Sequence, residues 1–484
     1  TDRPAGRSAR DRAEGEPFME LRSNIKMLNY ARKYLLNDTD NILPFPVRPQ
    51  KPPRTGRLPT LLPRSAPRDE GVPAAALDTL YRSLSGAECG THACIVLRHG
   101  RVVSEGWYAP YSSRYWHVTH SMCKSVTGTA IGMLADEGRL SLDEHVCEIF
   151  PEKCGLLTSR RMRAVTVRHL VTMTSGVAFK EAGAVLEGDW VKGFLDADVL
   201  FEPGSAFDYN SMNSYMLSAI VKRKTGLGLS AYLRPRLFEP LGFGDVAWET
   251  CPQGIEKGGW GMYVYLEDIA KLGLLYLNGG VFDGKRILSE EWVREATSLQ
   301  IDNAPSSDSP DWKQGYGYQI WRCQHGCFRF DGAYGQYMVA FPEQDAVLVL
   351  TSFVGNMQEV LDDVWAYLLP ALQKAPLPAS PAEDALKQRL RTLSCPIPKG
   401  IGQAAAAEFL CGENEFALES LRLTSTKEGG VIEFSANGTA FRIPFGTERY
   451  QTADITGFPV YPDMIGNHGL GSAVSDQPVG ASGC

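Results

Sequence analysis

The sequence lacks a long apolar run and an excess of positive charge. No hydrophobic stretch in the 484 residues reaches the roughly 18 to 20 residues that a membrane-spanning helix needs, and the N-terminus has no apolar segment of the secretory kind. The formal net charge of −7 argues against a general nucleic-acid-binding protein. With 44% hydrophobic and 22% charged residues, the composition is that of a globular protein. We therefore expect a cytoplasmic protein with no membrane span and no nucleic-acid partner.

The sequence also lacks a paired cysteine framework and a complete set of metal ligands. Its 11 cysteines form an odd set, which fits a reducing compartment. The pair Cys323 and Cys327 flanks a Gln-His-Gly turn and could be read as a metal cluster, but no second pair completes four ligands, so we expect a hairpin turn. His117 and His120 have His-x-x-His spacing without a third ligand, and we expect structural roles for both. No metal or organic cofactor is predicted.

A basic segment precedes an acidic body. Residues 1–68 contain 14 Lys and Arg against 7 Asp and Glu, and residues 43–67 are rich in Pro and Arg. We interpret residues 1–72 as an arm that docks on its own protein or is solvated. It could instead cross a cleft, pair with a second copy to give a homo-oligomer, or seek an anionic partner.

The order of the predicted elements indicates an α+β protein. Strands are predicted at 93–98, 101–107, 328–332, 337–341 and 346–351, and an amphipathic helix at 357–373. The region between the two groups of strands has helical periodicity, with a mainly helical subdomain at about 130–260. We therefore expect one antiparallel β-sheet, flanked by helices and assembled from both halves of a domain spanning 73–375. Residues 376–400 are interpreted as a linker, 401–458 as a small β-rich unit and 459–484 as a disordered tail.

The sharpest local signal is a serine followed three residues later by a lysine. Ser121 and Lys124 precede a run of apolar and small residues, with Gly138 where a helix should stop. On a helix this spacing puts the hydroxyl and the amine on one face, about 5 to 6 Å apart at Cβ. A neutral lysine can take the proton of a serine nucleophile, and burial lowers the lysine pKa toward that state. The alternative from the spacing alone is a surface serine beside a solvated lysine.

Four further segments accompany this motif in a fixed order. They are TVRHLVTMTSG at 166–176, PGSAFDYNS at 203–211, GGWG at 258–261 and FDGAYGQY at 330–337. Together with the serine motif they resemble the serine hydrolases related to class C β-lactamases and penicillin-binding proteins, which include esterases and 6-aminohexanoate-oligomer hydrolases. The resemblance covers about residues 75–375 and implies the β-lactamase/transpeptidase-like fold.

The resemblance implies a role for each matching residue. Ser121 matches the acylated nucleophile, Lys124 its proton acceptor and Tyr209 the group that relays the proton to the leaving atom. The backbone N–H groups of Ser121 and Ala333 are expected to hold the oxyanion. A cation near Tyr209 would lower the pKa of its phenol. His169, by contrast, matches a structural turn.

The remaining candidates are substrate-binding residues. They are Ser211, Trp260, Asp331, Gly332 and Tyr334, of which Ser211 occupies the third position of the family's tyrosine element. Relatives that cleave β-lactams or D-Ala-D-Ala peptides carry a Lys or His before the glycine of the final strand, whereas this chain has Phe330-Asp331-Gly332. Asp331 would repel a carboxylate. Arg329 is adjacent to Phe330, and strand alternation is expected to point it to the opposite face of the sheet.

The leading functional prediction is a serine hydrolase that cleaves a small neutral or cationic ester or amide through an acyl-enzyme on Ser121. A β-lactamase or D-amino-acid peptidase of the same family is the first alternative. A non-catalytic binding protein that keeps the fold is the second, although the retention of Ser121, Lys124 and Tyr209 together counts against it.

Overall fold

The computed structural model describes residue 32 and the ranges 55–86, 90–184, 187–396, 406–412, 418–436, 438–454 and 478–481. The strands of the main domain are β1 (Thr91–Arg98), β2 (Arg101–Trp107), β3 (His117–Val118), β4 (Ala247–Trp248), β5 (Met262–Val264), β6 (Val281–Phe282), β7 (Lys285–Arg286), β8 (Trp321–Arg322), β9 (Phe328–Gly332), β10 (Gln336–Phe341) and β11 (Ala346–Ser352). The helices are α1 (Ala74–Ser83), α2 (Cys123–Asp136), α3 (Val146–Ile149), α4 (Arg160–Ala164), α5 (Val167–Val171), α6 (Glu181–Ala184), α7 (Trp190–Leu195), α8 (Ser211–Thr225), α9 (Leu229–Leu233), α10 (Leu266–Leu277), α11 (Glu290–Thr297), α12 (Met357–Asp363) and α13 (Ala382–Thr392). None of these helices is both long and apolar enough to cross a membrane.

The central feature is a six-stranded antiparallel sheet in the order β2-β1-β11-β10-β9-β8. Within it β1 pairs with β11, and Cys94 lies opposite Leu350. Side chains alternate between two hydrophobic cores, with Ile95 in the larger core and Cys94 in the smaller one. The sheet thus joins both ends of the domain around a helical insertion, as predicted, and the strand bounds differ from the prediction by at most two residues.

The helix that follows Ser121 lies at the centre of the insertion. Residues 123–134 of α2 are all buried, and α2 packs against α8. Its glycines allow that packing, since a Cβ at Gly132 would come within 2.5 Å of the Trp292 ring. The helix ends beside Gly138, whose φ of +67° is the left-handed conformation that glycine adopts most easily.

The described end of the N-terminal arm docks on the main domain. Thr55 donates two hydrogen bonds to Asp245, the Leu62 amide donates to Glu267 at 2.6 Å, and Arg64 makes an ion pair with Glu267. This part of the arm lies on its own protein, as expected from the plainer interpretation. Residues 1–54, apart from Arg32, lie outside the described residues.

The helices beyond the main sheet differ from their sequence interpretation in two places. The helix predicted at 357–373 is α-helical only through α12, and a π-helical turn, Val364–Leu368, follows it. The 376–400 segment is not merely a linker, because α13 lies within it. Arg389 of α13 pairs with Asp78 of α1, and Leu386 is buried in the smaller core. The sequence did not predict this helix, because the segment is rich in Pro and Ala and only one face of the helix is apolar.

The C-terminal unit contains two small β-sheets. A four-stranded sheet is formed by β12 (Ala406–Leu410), β13 (Leu418–Ser425), β14 (Gly429–Ala436) and β15 (Thr439–Gly446). In addition, β16 (Gln451–Asp454) pairs with β17 (Pro478–Ala481), so part of the segment predicted to be a disordered tail is a strand. The rest of that predicted tail lies outside the described residues.

Candidate active site

Ser121 and Lys124 meet at the start of α2. Ser121 lies in a 3-10 turn, His120–Met122, that leads directly into this helix. The Lys124 Nζ is 3.0 Å from Ser121 Oγ. The lysine side chain is buried, with 1% of the residue exposed. The first turn therefore brings the predicted nucleophile and base into hydrogen-bond contact.

Three oxygens surround the amine of Lys124. Besides Ser121 Oγ, they are Ser211 Oγ at 2.8 Å and the Gly259 carbonyl at 2.6 Å. A neutral amine can donate to Gly259 and Ser211 and still accept the proton of Ser121, because a carbonyl can only accept whereas a hydroxyl can also donate. Burial lowers the pKa of Lys124 to about 8, so a substantial fraction of the amine is neutral near that pH. Ser211, predicted to bind substrate, is thus a direct partner of the lysine.

Tyr209 completes the cluster. The Ser121 hydroxyl is close enough to affect the pKa of the Tyr209 phenol, and the Lys124 amine lies 5.1 Å from the centre of the Tyr209 ring. Burial raises the pKa of the phenol above its usual range. The expectation that a neighbouring cation lowers this pKa is therefore wrong, because desolvation of the phenolate is the larger effect. Tyr209 is consequently a protonated donor in the resting site.

The glycine-rich segment before β5 forms the wall behind Lys124. The Gly258 carbonyl accepts from Thr127 Oγ1 at 2.7 Å, and Gly259 holds the amine of Lys124. A Cβ at Gly259 would lie 2.8 Å from the Ser211 carbonyl and 3.3 Å from Lys124 Nζ. Glycine is therefore required here for close approach of the backbone rather than for a flexible turn.

A buried ion pair anchors this wall. Lys257 Nζ lies 2.6 Å from Glu249 Oε2, and Tyr263 donates to the other carboxylate oxygen at 2.8 Å. Backbone bonds reinforce the pairing, since the amide of Lys257 donates to Glu249 and that of Glu249 to Gly261. Glu249, Lys257 and the Gly259 carbonyl were not predicted from the sequence. Only the GGWG segment pointed to this region.

The end of β9 lies against the turn that carries Ser121. A Cβ at Gly332 would come within 2.3 Å of the Thr119 carbonyl and 3.1 Å of the Met122 amide. Ala333 follows immediately and is exposed. The end of β9 at Gly332 is thus next to the turn that carries Ser121, and the predicted oxyanion donor Ala333 is the following residue.

Arg329 and Asp331 form a buried ion pair on β9. The Arg329 Nε lies 2.7 Å from Asp331 Oδ2, and Arg329 is 0% exposed. Arg329 points to the opposite face from its neighbour Phe330, which lies in the larger core, and it meets Asp331 because residues two apart on a strand share a face. The guanidinium also packs over Trp312 and Trp321. The negative charge of Asp331 is therefore balanced by Arg329 on the same strand.

The other predicted residues are placed as follows. Trp260 stacks on Trp190 at 5.9 Å and packs against the larger core. Tyr334 meets the ring of His120 at 5.4 Å. His169 accepts a hydrogen bond from the Thr166 amide at a helix N-terminus, which is a structural role as expected.

The two candidate metal clusters have structural surroundings. Cys323 and Cys327 close a turn in which the Cys323 amide donates to the Cys327 carbonyl at 2.9 Å. His117 lies against Tyr111 at 5.3 Å, away from the ring of Tyr334 that His120 meets. Over the described ranges of the chain, no three His, Cys, Asp or Glu side chains are arranged to hold a metal ion.

Comparison with known proteins agrees with this arrangement. A 6-aminohexanoate-dimer hydrolase of Paenarthrobacter ureafaciens is 28% identical over 332 residues, 61% of this chain and 83% of the relative. Esterase EstB of Burkholderia gladioli is 28% identical over 210 residues, 37% of this chain and 52% of the esterase. The fold resembles a penicillin-binding protein homologue from Caulobacter crescentus, with a TM-score of 0.51, 20% identity and coverage of 64% of this chain and 100% of the other.

A family model also matches this chain. Residues 82–369 match the model of the family described as Beta-lactamase. This range contains the six-stranded sheet, the insertion and the whole cluster around Lys124, and it covers more than half of the chain. The chain therefore belongs to the beta-lactamase family, as its sequence motifs predicted.

Proposed function

We propose that the protein is a serine hydrolase that cleaves small esters or amides through an acyl-enzyme on Ser121. The observation that carries the proposal is the contact of 3.0 Å between a serine hydroxyl and a buried lysine amine whose pKa is lowered to about 8. Membership of the beta-lactamase family and the relatives named as a hydrolase and an esterase support the same chemistry.

The proposed reaction has two halves. Ser121 Oγ forms a bond to the substrate carbonyl carbon as its proton passes to the neutral amine of Lys124. The oxyanion is held by the backbone N–H groups of Ser121 and Ala333. The bond to the leaving group then breaks, Tyr209 donates a proton to the leaving atom, and the ammonium of Lys124 returns one to Tyr209. Water, deprotonated by the same amine, releases the acid and restores Ser121.

The charges on β9 favour substrates without a carboxylate. The one cation on that strand, Arg329, is paired with Asp331 and packed on two tryptophans. A guanidinium held in this way is not available to a substrate anion. This supports neutral or cationic esters and amides over the β-lactamase and peptidase alternatives.

A fluorophosphonate probe tests the proposal. The wild type and Ser113→Ala, which changes an exposed serine, should be labelled and should hydrolyse simple esters, whereas Ser121→Ala should do neither. Intact mass of the wild type mixed with a slowly hydrolysed ester should show the acyl adduct. Equal labelling of Ser121→Ala would reject the nucleophile, and absence of any adduct or turnover across an ester panel would favour the non-catalytic alternative.

A further inference from the structure

Two exposed aromatic rings lie stacked at the end of the sheet beside Ser121. Tyr334 belongs to the hairpin between β9 and β10, and Phe353 follows β11. Their ring centres are 4.5 Å apart with an interplanar angle of 24°. Tyr334 is 43% exposed and Phe353 is 64% exposed. We call this pair the aromatic platform.

The platform is connected to the nucleophile through one residue. The edge of the His120 ring meets Tyr334 at 5.4 Å and 72°, and His120 directly precedes Ser121 in the chain. Burial lowers the pKa of His120, so its ring is neutral at physiological pH. The surface that extends from the reacting hydroxyl is therefore aromatic and uncharged over His120, Tyr334 and Phe353.

The backbone under the platform is held firmly. The Tyr334 carbonyl accepts from Ser352 Oγ at 2.8 Å and from the Val354 amide at 3.1 Å. The Phe353 amide donates to the Gly90 carbonyl at 2.8 Å. Rings carried on such a fixed backbone lose little conformational freedom when they bind a partner.

The backbone conformation and the exposure of these rings are both unfavourable for the stability of the fold. Tyr334 has a φ of +65° and His120 a φ of +46°, and such left-handed conformations are unfavourable for residues with a side chain. The rings of Tyr334 and Phe353 are also partly exposed to solvent, although burial of an aromatic side chain normally stabilises a fold. Strained residues cluster at functional sites, and these two touch each other next to Ser121.

We propose that the aromatic platform binds a flat aromatic group of the substrate, so that the protein prefers aryl-bearing esters to saturated ones of the same size. This specificity rests on the proposed function, because it requires acyl transfer at Ser121. A substrate ring stacks on Phe353 or Tyr334 in the offset geometry that the two rings already share, and each such contact strengthens binding. The effect belongs to substrate binding, and it therefore appears mainly in KM.

Pairs of esters with matched reactivity test the proposal. Benzyl acetate against cyclohexylmethyl acetate probes the alcohol side, and methyl phenylacetate against methyl cyclohexylacetate probes the acyl side. In the wild type, kcat/KM should favour the aromatic member of at least one pair. Phe353→Ala and Tyr334→Ala should each reduce that preference about 2- to 10-fold, chiefly through KM. Phe353→Tyr and Tyr334→Phe, which keep a ring, should retain it.

The controls separate this inference from the proposed function. Leu156→Ala removes a fully exposed apolar side chain outside the platform and should leave the preference unchanged. Circular dichroism checks that each variant is folded. Equal rates for both members of both pairs, or an equal loss for aromatic and saturated esters in the alanine variants, would overturn the platform's role while Ser121 is still labelled by the probe. If the wild type showed neither labelling by the probe nor turnover of any ester, the proposed function itself would be rejected.

Discussion

The amine of Lys124 reaches the hydroxyl of Ser121 at 3.0 Å from within the protein interior. Its other two partners, Ser211 and Gly259, come from α8 and from the segment before β5. The lysine is therefore fixed from three directions while its desolvation favours the neutral form. Chemistry at this site should consequently depend on pH, on the amine itself and on the elements that hold it.

The rate of ester hydrolysis should rise with pH as Lys124 loses its proton. Because its pKa is about 8, kcat/KM should increase about tenfold per pH unit well below this value and level off above it. A neutral ester measured between pH 6 and 9.5 avoids titration of the substrate. A profile that is flat over this range would contradict the assignment of the amine as base.

Replacement of the base should nearly abolish turnover without removing the nucleophile. Lys124→Met should lower kcat/KM by at least about 10²-fold, since a positioned general base contributes 10²- to 10⁴-fold. Lys222→Met, which changes a lysine at the surface end of α8, serves as the control. If Lys124→Met retained wild-type rates at pH 7, another group would have to accept the proton of Ser121.

Removal of the Tyr209 hydroxyl should slow the chemical step more than substrate binding. Tyr209→Phe keeps the ring beside Lys124 but removes the hydroxyl that is proposed to relay the proton. We expect kcat to fall about 10²-fold with little change in KM, measured by steady-state kinetics on an ester. Tyr316→Phe changes a buried tyrosine packed against Tyr209 and should have a much smaller effect, so similar losses in both variants would indicate a packing role.

Glu249 should act on the reaction through the Gly259 carbonyl. Glu249→Gln weakens the buried pair with Lys257 that anchors this segment, and a loosened carbonyl no longer favours the charged form of Lys124. The acid limb of the pH profile should move to lower pH while kcat falls. Glu239→Gln, at an exposed position, is the matched control. An unchanged limb in a folded Glu249→Gln protein would leave Glu249 with a structural role only.

The buried ion pair between Arg329 and Asp331 on β9 should contribute to the stability of the fold. Breaking a buried ion pair costs about 3–5 kcal/mol because one charge is left without its partner. Arg329→Met and Asp331→Asn should therefore lower the midpoint of urea unfolding, and the double variant should recover part of the loss. For comparison, Arg294→Ala breaks the exposed contact with Glu295, where about 0–1 kcal/mol is expected. Additive losses in the double variant would argue against direct coupling.

Sequence patterns predicted the parts of this protein that depend on side-chain type. The β-rich runs predicted five strands of the central sheet within two residues but not its edge strand β8, and the spacing of Ser121 and Lys124 placed them together. The role of Gly259 was not predictable, because a carbonyl acceptor has no residue signature. The pKa direction of Tyr209 was wrong because its desolvation depends on packing from distant segments. Leu386 and its helix were missed because flanking prolines outweighed a weak apolar face.

The pairing of β1 with β11 has a consequence for the newly made chain. Translation yields Ser121 and Lys124 early, but the strand end that faces them and the partner of β1 come only after the helical insertion is complete. Contacts between distant parts of a chain form slowly. A polypeptide that is still attached to the ribosome and ends before residue 352 should accordingly not hydrolyse esters. Activity should begin only when synthesis of this domain is finished.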